Sequence, residues 1–429
     1  MKKLVRIISL YGGIYLVMIA IFILFLTLAA ALPHTRKFES LVRRSDRIQN
    51  KWGLWPEVNG IPLDNVTESC VLNVAYSFDA ASPLKSALRS DMYVSKGETH
   101  KNLYFLSHGH QEEMIRVDYS RYWLGTAGIM KFLLYFFHIG KIYSFCGIAI
   151  MFLSVWALLL LYKQFGQTEF FALFTLLALC NFNVFYQSIQ FPPVFFIGLG
   201  GLIWFCRHND LRWRRPVFFI LGMLTAYLDM LTAPVLAFGI PALFVCGWDT
   251  LREESSGRKD WTTWLRIWFG YPAAWLVGYV LSWGMKILAG GWLCGNLADA
   301  FSQMLLRVGN SSPEKQFSRL EAVKRNFEML FDGSQLFVIL LGIIAGIFLI
   351  RDLIRLKRKE VFFDIRLSVG YLFLAVMPIL VFLLMANHVF IHYWMTYRGL
   401  GLTCAALIMI HTAFRPLERH AAGSENGMK

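Results

Sequence analysis

Apolar runs long enough to cross a bilayer recur along this chain, and they limit its fold more than any other feature. Hydrocarbon offers no water to backbone N–H and C=O groups, so a spanning segment is a helix of about 20 apolar residues or part of a closed barrel. The first run, in MKKLVRIISLYGGIYLVMIAIFILFLTLAAALP, follows a basic start. Others lie at 142–161, 170–187, 191–205, 217–231, 232–246, 267–287, 336–350, 367–385 and 397–413. The expectation is an all-α polytopic membrane protein with about ten transmembrane helices. The pair meeting at Thr232 reads as two tilted helices or one kinked re-entrant hairpin. Ala29 to Ala31 imitate a signal-peptide cleavage site, but a signal h-region holds only about 7–15 apolar residues, so an uncleaved anchor is expected.

Composition agrees. The chain is 56% hydrophobic and 16% charged, whereas a soluble domain carries about 25% charged residues. Its formal charge of +14 sits in short clusters between apolar runs, which argues for topology signals and lipid headgroup contacts and against nucleic acid as a partner. The seven cysteines form no CxxC pair; Cys70 and Cys294 fall in outer segments, yet nothing in their spacing requires a disulfide.

Basic residues in short loops mark the cytoplasmic side. An inside N-terminus puts Lys2, Lys3 and Arg6 there. It also puts there Arg207, Arg212, Arg214 and Arg215; Arg252, Arg258, Lys259 and Arg266; Arg351, Arg355, Lys357, Arg358, Lys359 and Arg366; and Arg415 and Arg419. The chain then divides into a first anchor (1–32), a large extracytoplasmic loop (33–141), spans two to seven (142–290), a second outer segment (291–334), spans eight to ten (335–413) and a cytoplasmic tail (414–429). The location implied is the plasma membrane, with both termini cytoplasmic. Within the large loop, 119–138 reads as an aromatic amphipathic helix lying in the interface. Residues 82–88 read as a short helix capped by Ser82 with Pro83 at its first position. The second outer segment breaks at NSSP and turns helical through EKQFSRLEAVKRNFEMLF.

Polar residues with chemical potential collect on the outer face. Asp64 in PLDNVTES, with Glu68 one turn on, fits a general base that deprotonates an acceptor hydroxyl; Asp before an apolar run is equally a helix N-cap. NVT at Asn65 and NSS at Asn310 are glycosylation sequons. Asp229 in AYLDMLTAP stands near the outer end of a span, where an ionisable group is a functional candidate or a cap. In NHVFIHYWMTYR, His388 and His392 share one helical face and Arg398 follows; an arginine at the membrane boundary suits a phosphate, whose oxygens its planar fork can hold in pairs. HxxxH can also hold a divalent metal, though without a carboxylate partner it is half a site, so no cofactor is assigned. The plain reading of that stretch is an aromatic belt with an anchoring arginine. Asp118, Arg121 and Tyr122 in VDYSRYW, with Lys286 and Arg307, complete the candidates; Lys286 is equally a snorkelling side chain, and His100, His108 and His110 read as a solvated loop. Walker, GxGxxG, GxSxG and HExxH patterns are absent, so nucleotide-driven transport and the common hydrolases lack support.

This plan resembles the GT-C class of membrane glycosyltransferases, which use polyprenyl-phosphate-linked sugars. The likeness lies in an inside N-terminus, one span, a large first outer loop and many closely connected spans, and in VDYSRYW, AYLDMLTAP and HVFIHYWMTYR. It implies transfer of a sugar to a cell-envelope glycan, lipid or protein. By position it makes Asp64 the base, with Arg398 and Arg121 or Lys286 at the lipid phosphate; Asp46, Asp79 and Asp118 are the alternatives to Asp64 as base. The residues themselves add Asp229 as a catalytic candidate and His392, His388 and Tyr122 as candidates at the phosphate. The paired acidic motif common after the first span in that class is missing, since FESLVRRSDRIQ offers only Glu39 and Asp46. A flippase for a lipid-linked saccharide, or a polysaccharide polymerase or ligase, would share the outer site; a flippase predicts charges along a path through the spans.

Overall fold

The computed structural model describes residues 2–53, 55–58, 60–95, 101–258, 260–295, 297–311 and 316–417. The chain begins with α1 (Lys2–Ala31) and then builds a crown over one end of the bundle. The crown comprises α2 (Arg36–Trp52), the hairpin β1 (Glu57–Val58) and β2 (Ile61–Pro62), α3 (Asn65–Ser77), α4 (Pro83–Arg89), β3 (Met92–Val94), α5 (Asn102–Ser107), β4 (Ile115–Val117) and α6 (Gly125–Leu133). The bundle continues with α7 (Ile139–Gln164), α8 (Gln167–Leu179), α9 (Pro192–Arg207), α10 (Arg214–Leu228), α11 (Pro234–Ser255), α12 (Trp261–Trp268) and α13 (Gly270–Cys294). It closes with α14 (Leu297–Val308), α15 (Arg319–Lys357), β5 (Val361–Phe363), α16 (Ile365–Leu384), α17 (Ala386–Ile391), α18 (Tyr393–Thr396), α19 (Gly399–Met409) and β6 (Phe414–Pro416).

Among the described residues, six helical stretches are long and apolar enough to cross a membrane: Val5–Ala31, Ile139–Gln164, Pro234–Ser255, Trp261–Cys294, Gln335–Lys357 and Ile365–Leu384. The architecture is that of an all-α membrane protein. Four expected spans correspond to shorter helices: α8 and α9 are apolar but below spanning length, and α10 and α19 have 15 and 11 residues. Two α-helices, α10 and α11, are joined by the turn that holds Thr232. Of the expected helix 314–331, residues 314 and 315 lie outside those described and helix begins at Arg319; from there it runs unbroken through the expected span 336–350 as α15, of 39 residues, with Ser318 as N-cap, its Oγ accepting from Glu321 N at 3.0 Å.

Small residues set the closest approach in the bundle. A Cβ at Gly222 would stand 2.0 Å from the Trp275 carbonyl oxygen, and one at Gly278 would stand 2.1 Å from the Phe219 carbonyl oxygen. The two glycines let the backbones of α10 and α13 touch, which is how membrane helices gain packing without a hydrophobic driving force.

Segment 119–138 departs from expectation. Leu124 turns the chain in the left-handed region (φ +54°), and α6 enters the core. Trp123, Ala127 and Leu134 are buried, with Trp123 Nε1 donating to the Ser282 carbonyl at 2.8 Å. Tyr122 and Trp123 of the aromatic stripe are packed inside, whereas Phe136 and Phe137 beyond α6 are exposed. Lys131 goes in with it: its Nζ lies 4.2 Å from the Phe38 ring centre and has no hydrogen-bond partner among the described residues. Burial pushes this amine down to about 7. The unfolded chain then holds more protons than the folded one between about pH 7 and the ordinary lysine value, so stability rises with pH across that window. Lys131→Met is expected to raise the thermal midpoint at pH 7, by about 1–3 kcal/mol of stability, and to flatten that pH dependence. Thermal melts at pH 7 and pH 9 check it.

The end opposite the crown gathers the basic clusters. Arg215 donates to the Arg266 carbonyl at 2.8 Å, Arg252 to that of Asn209 at 2.5 Å, and Arg415 to Glu254 at 2.6 Å, where Arg366 also binds. Tyr11, in α1, packs edge-on against Phe219 with ring centres 5.2 Å apart, which brings the basic start of the chain to the same end. Lys259 and Arg419 lie outside the described residues.

Candidate active site beneath the crown

The turn between α10 and α11 presents Asp229. Its Oδ1 accepts from Thr232 N at 3.1 Å, and Leu231 takes φ +64°, so the carboxylate makes its own tight Asx-type turn. Asp229 is 5% exposed, and its Oδ2 has no hydrogen-bond partner among the described residues. A buried carboxylate oxygen without a partner needs an explanation, and a ligand is one. His388 Nε2 meets the Leu231 carbonyl at 2.8 Å; a carbonyl only accepts, so that nitrogen carries the proton. The His392 ring follows with centres 4.8 Å apart, and its Nδ1 is also buried without a partner among the described residues. Burial pushes His388 down to about 3 and His392 down to about 4, so both are neutral at ordinary pH.

Two guanidinium groups converge from the other side. Arg121, from the strand-to-α6 connection, stacks with its Cζ 4.3 Å from the Tyr119 ring centre and 5.8 Å from that of Tyr122. Arg307, from α14, lies 5.5 Å from the same Tyr122 ring. Each has its Nε buried and without a partner among the described residues. Tyr122 and Tyr279 both lie within electrostatic reach of Asp229 and Arg307, and both histidines lie within reach of Arg307. The site therefore gathers the Asp229 carboxylate, two arginines, two neutral histidines and three tyrosines, with Asp299 3.9 Å from Arg121, drawn from the crown, the α10–α11 turn, α13, α14 and residues 388–392.

Asp64 borders this chamber as a helix cap. Its Oδ1 accepts from Thr67 N at 2.8 Å and its Oδ2 from Thr67 Oγ1 at 2.7 Å, which starts α3. Burial raises its carboxyl above the usual range, with the Thr67 bonds opposing. Glu68, 1% exposed, accepts from Tyr143 Oη at 2.5 Å and Ile189 N at 2.8 Å, tying the crown to α7 and to the turn before α9. Burial pushes it up to about 7.

Three expected site residues are placed elsewhere. Lys286 is fully buried, and its Nζ donates to the Ala87 carbonyl (3.3 Å), the Leu88 carbonyl (2.6 Å) and Ser90 Oγ (3.1 Å). An ammonium has three protons, so these bonds use all of them to close the C-terminus of α4 onto α13. Arg398 is fully buried among aromatic rings, Phe191 at 4.0 Å, with Nε donating to the Cys180 carbonyl (3.0 Å) and Nη1 to that of Trp394 (2.7 Å). It joins α19 to the end of α8, and its Nη2 is buried without a hydrogen-bond partner among the described residues. Asp118 accepts from Ser120 Oγ at 2.8 Å and lies with Asp91 within electrostatic reach of Lys286. The Asn65 sequon is closed: Asn65 is 3% exposed and donates to the Gly53 carbonyl at 2.7 Å. The Asn310 sequon and His100 extend into or lie in residues outside those described. All seven cysteines are free. Among the described residues no group of three His, Cys, Asp or Glu side chains is arranged for a metal, so the histidine pair remains half a site.

The sequence names Arg307 as a cation near the outer surface, but nothing in LADAFSQMLLRV indicates that it meets Tyr122, some 185 positions away. Arg307 shares the polar face of α14 with Gln303 and Asp299, opposite Phe301 and Leu305, and that face is the available signal. Fold and chamber together define an all-α membrane protein with a buried polar site under a crown of short helices. No family model, curated protein or solved structure matches the chain.

Proposed function

We propose that the protein is a membrane glycosyltransferase that moves a sugar from a polyprenyl-phosphate-linked donor to an acceptor hydroxyl of a cell-envelope glycan, lipid or protein. The observation that carries this reading is the convergence of two arginines, each with an unpartnered buried Nε, on a chamber that also holds the unpartnered Oδ2 of Asp229. A lipid-phosphate sugar needs cations to hold its leaving phosphate and a carboxylate to take the proton of the attacking hydroxyl. Arg121 and Arg307 fill the first role and Asp229 the second. Asp64 holds α3 in place beside them. In this reading the crown faces outward from the plasma membrane, both termini are cytoplasmic, and α8, α9, α10 and α19 join the six long stretches to make ten spans. Gathering of the basic clusters at the opposite end supports that orientation.

The test is reconstitution of the purified protein in lipid with a panel of polyprenyl-phosphate sugars and a crude envelope acceptor. Acceptor-dependent release of free polyprenyl phosphate from one donor supports transfer. Movement of a lipid-linked saccharide across the bilayer without release supports a flippase instead. With an active donor, Arg121→Gln and Arg307→Gln are each expected to raise the KM for donor at least tenfold, whereas Lys286→Met lowers the thermal midpoint; kinetics and melts on the same preparations separate the two effects.

A further inference from the structure

α2 is amphipathic in a specific way. Phe38, Val42, Ser45, Asp46 and Gln49 are buried against the crown, while Arg36, Ser40, Arg43 and Arg47 are exposed along the other face at helical spacing. That basic face meets Tyr104 and His108 of the α5 region across a groove of about 460 Å³, with Glu39 at its edge. Volumes of this order hold small ligands. Arg43 Nε donates to the Ser107 carbonyl at 2.9 Å, which fixes one wall and leaves its terminal nitrogens to the groove. His108 Nδ1 meets the Tyr104 carbonyl at 2.8 Å, so Nδ1 carries the proton. Among the described residues no carboxylate lies within ion-pair distance of Arg36 or Arg47, and Asp46 is the carboxylate within electrostatic reach of Arg47. Three arginines outnumber the two carboxylates within reach, Glu39 in the lining and Asp46 behind Arg47 and His108, so the groove stays cationic, and Ser40, Tyr104 and Glu39 offer hydrogen bonds to hydroxyls beside an anion.

We infer that this groove binds a phosphate-bearing group carrying a neighbouring hydroxyl, as in a glycerol phosphodiester. It is separate from the Asp229 chamber and independent of the reaction proposed there. The source is either a membrane lipid headgroup, since α2 begins five residues after the first apolar helix ends, or a soluble phosphoglycerol unit; the chemistry of recognition is the same.

The experiment is a thermal-shift series on the full-length protein in detergent with added phosphatidylglycerol, phosphatidylcholine, or soluble glycerol 3-phosphate. Phosphatidylglycerol or glycerol 3-phosphate is expected to raise the midpoint by several degrees over the phosphatidylcholine reference. A shift with the lipid alone assigns the source to the membrane; a shift with both extends it to soluble phosphates. Arg36→Gln/Arg47→Gln, which leaves the Arg43 anchor intact, is expected to lose at least three quarters of the shift. Lys37→Gln/Arg44→Gln removes the same charge from other exposed positions of α2 and is expected to keep it. Equal loss in both pairs, full retention in the first pair, or no shift in the wild type with either phosphate overturns the proposal.

Discussion

Asp229→Asn is expected to lower turnover by about 10²-fold or more, the contribution typical of a positioned general base, while leaving the thermal midpoint within a few degrees of wild type. The asparagine keeps an oxygen to accept from Thr232 N at the distance Asp229 Oδ1 now holds, 3.1 Å, so the turn survives. It replaces the unpartnered Oδ2 with a group that cannot take a proton. Single-turnover release of polyprenyl phosphate, measured beside a melt, reads both effects. Asp64→Asn is the contrast. Its carboxylate is committed to Thr67, and an amide can replace only one of those two acceptor oxygens. The expected loss is therefore mainly in stability, about 1 kcal/mol for a weakened N-cap. Near-normal turnover by Asp229→Asn would move the base elsewhere.

Much of this arrangement could be read before folding. Periods of apolar residues gave the long helices, Ser82 and Pro83 marked the start of α4, and the basic clusters did collect at one end. These features are local, set by propensity, capping and charge within a few residues. What could not be read is which polar side chains meet. Lys286 and Arg398 have the residue type for a phosphate, yet the first closes a helix end nearly 200 positions earlier in the chain and the second answers the Cys180 carbonyl 218 positions away. Arg307 has the same type and opens into the chamber. Composition cannot separate these three; tertiary folding satisfies all of Lys286 and leaves Arg307 and Arg398 each one buried free nitrogen among the described residues, Arg307 beside Tyr122 and Arg398 beside Phe191. The 119–138 segment fails for a related reason, because an aromatic stripe suits an interface and a helix–helix contact equally well.

The cluster RWRRP shows the same limit at the other end of the molecule. By charge alone its arginines are topology signals, but Arg214 is 1% exposed and binds Asp249 with Nε at 3.0 Å from Oδ2 and Nη2 at 3.2 Å from Oδ1. Tyr271 Oη adds a bond to Asp249 Oδ2 at 2.7 Å, and Arg214 Nη1 reaches the His208 carbonyl at 3.3 Å. One ion pair thus holds α9, α10, α11 and α13 together. Removing a single partner strands the other charge, so Asp249→Leu and Arg214→Met are each expected to cost about 3–5 kcal/mol. The double variant removes both charges and is expected to lose clearly less than the sum, though the freed His208 carbonyl keeps it below wild type. Melts of the four proteins in one detergent measure the coupling; additive losses would show that the pair contributes nothing as a pair. Because α10 carries Arg214 at one end and leads to Asp229 at the other, about 22 Å away along a helix of 15 residues, turnover per folded molecule is expected to stay near wild type in all four. Stability and catalysis would then separate along a single helix.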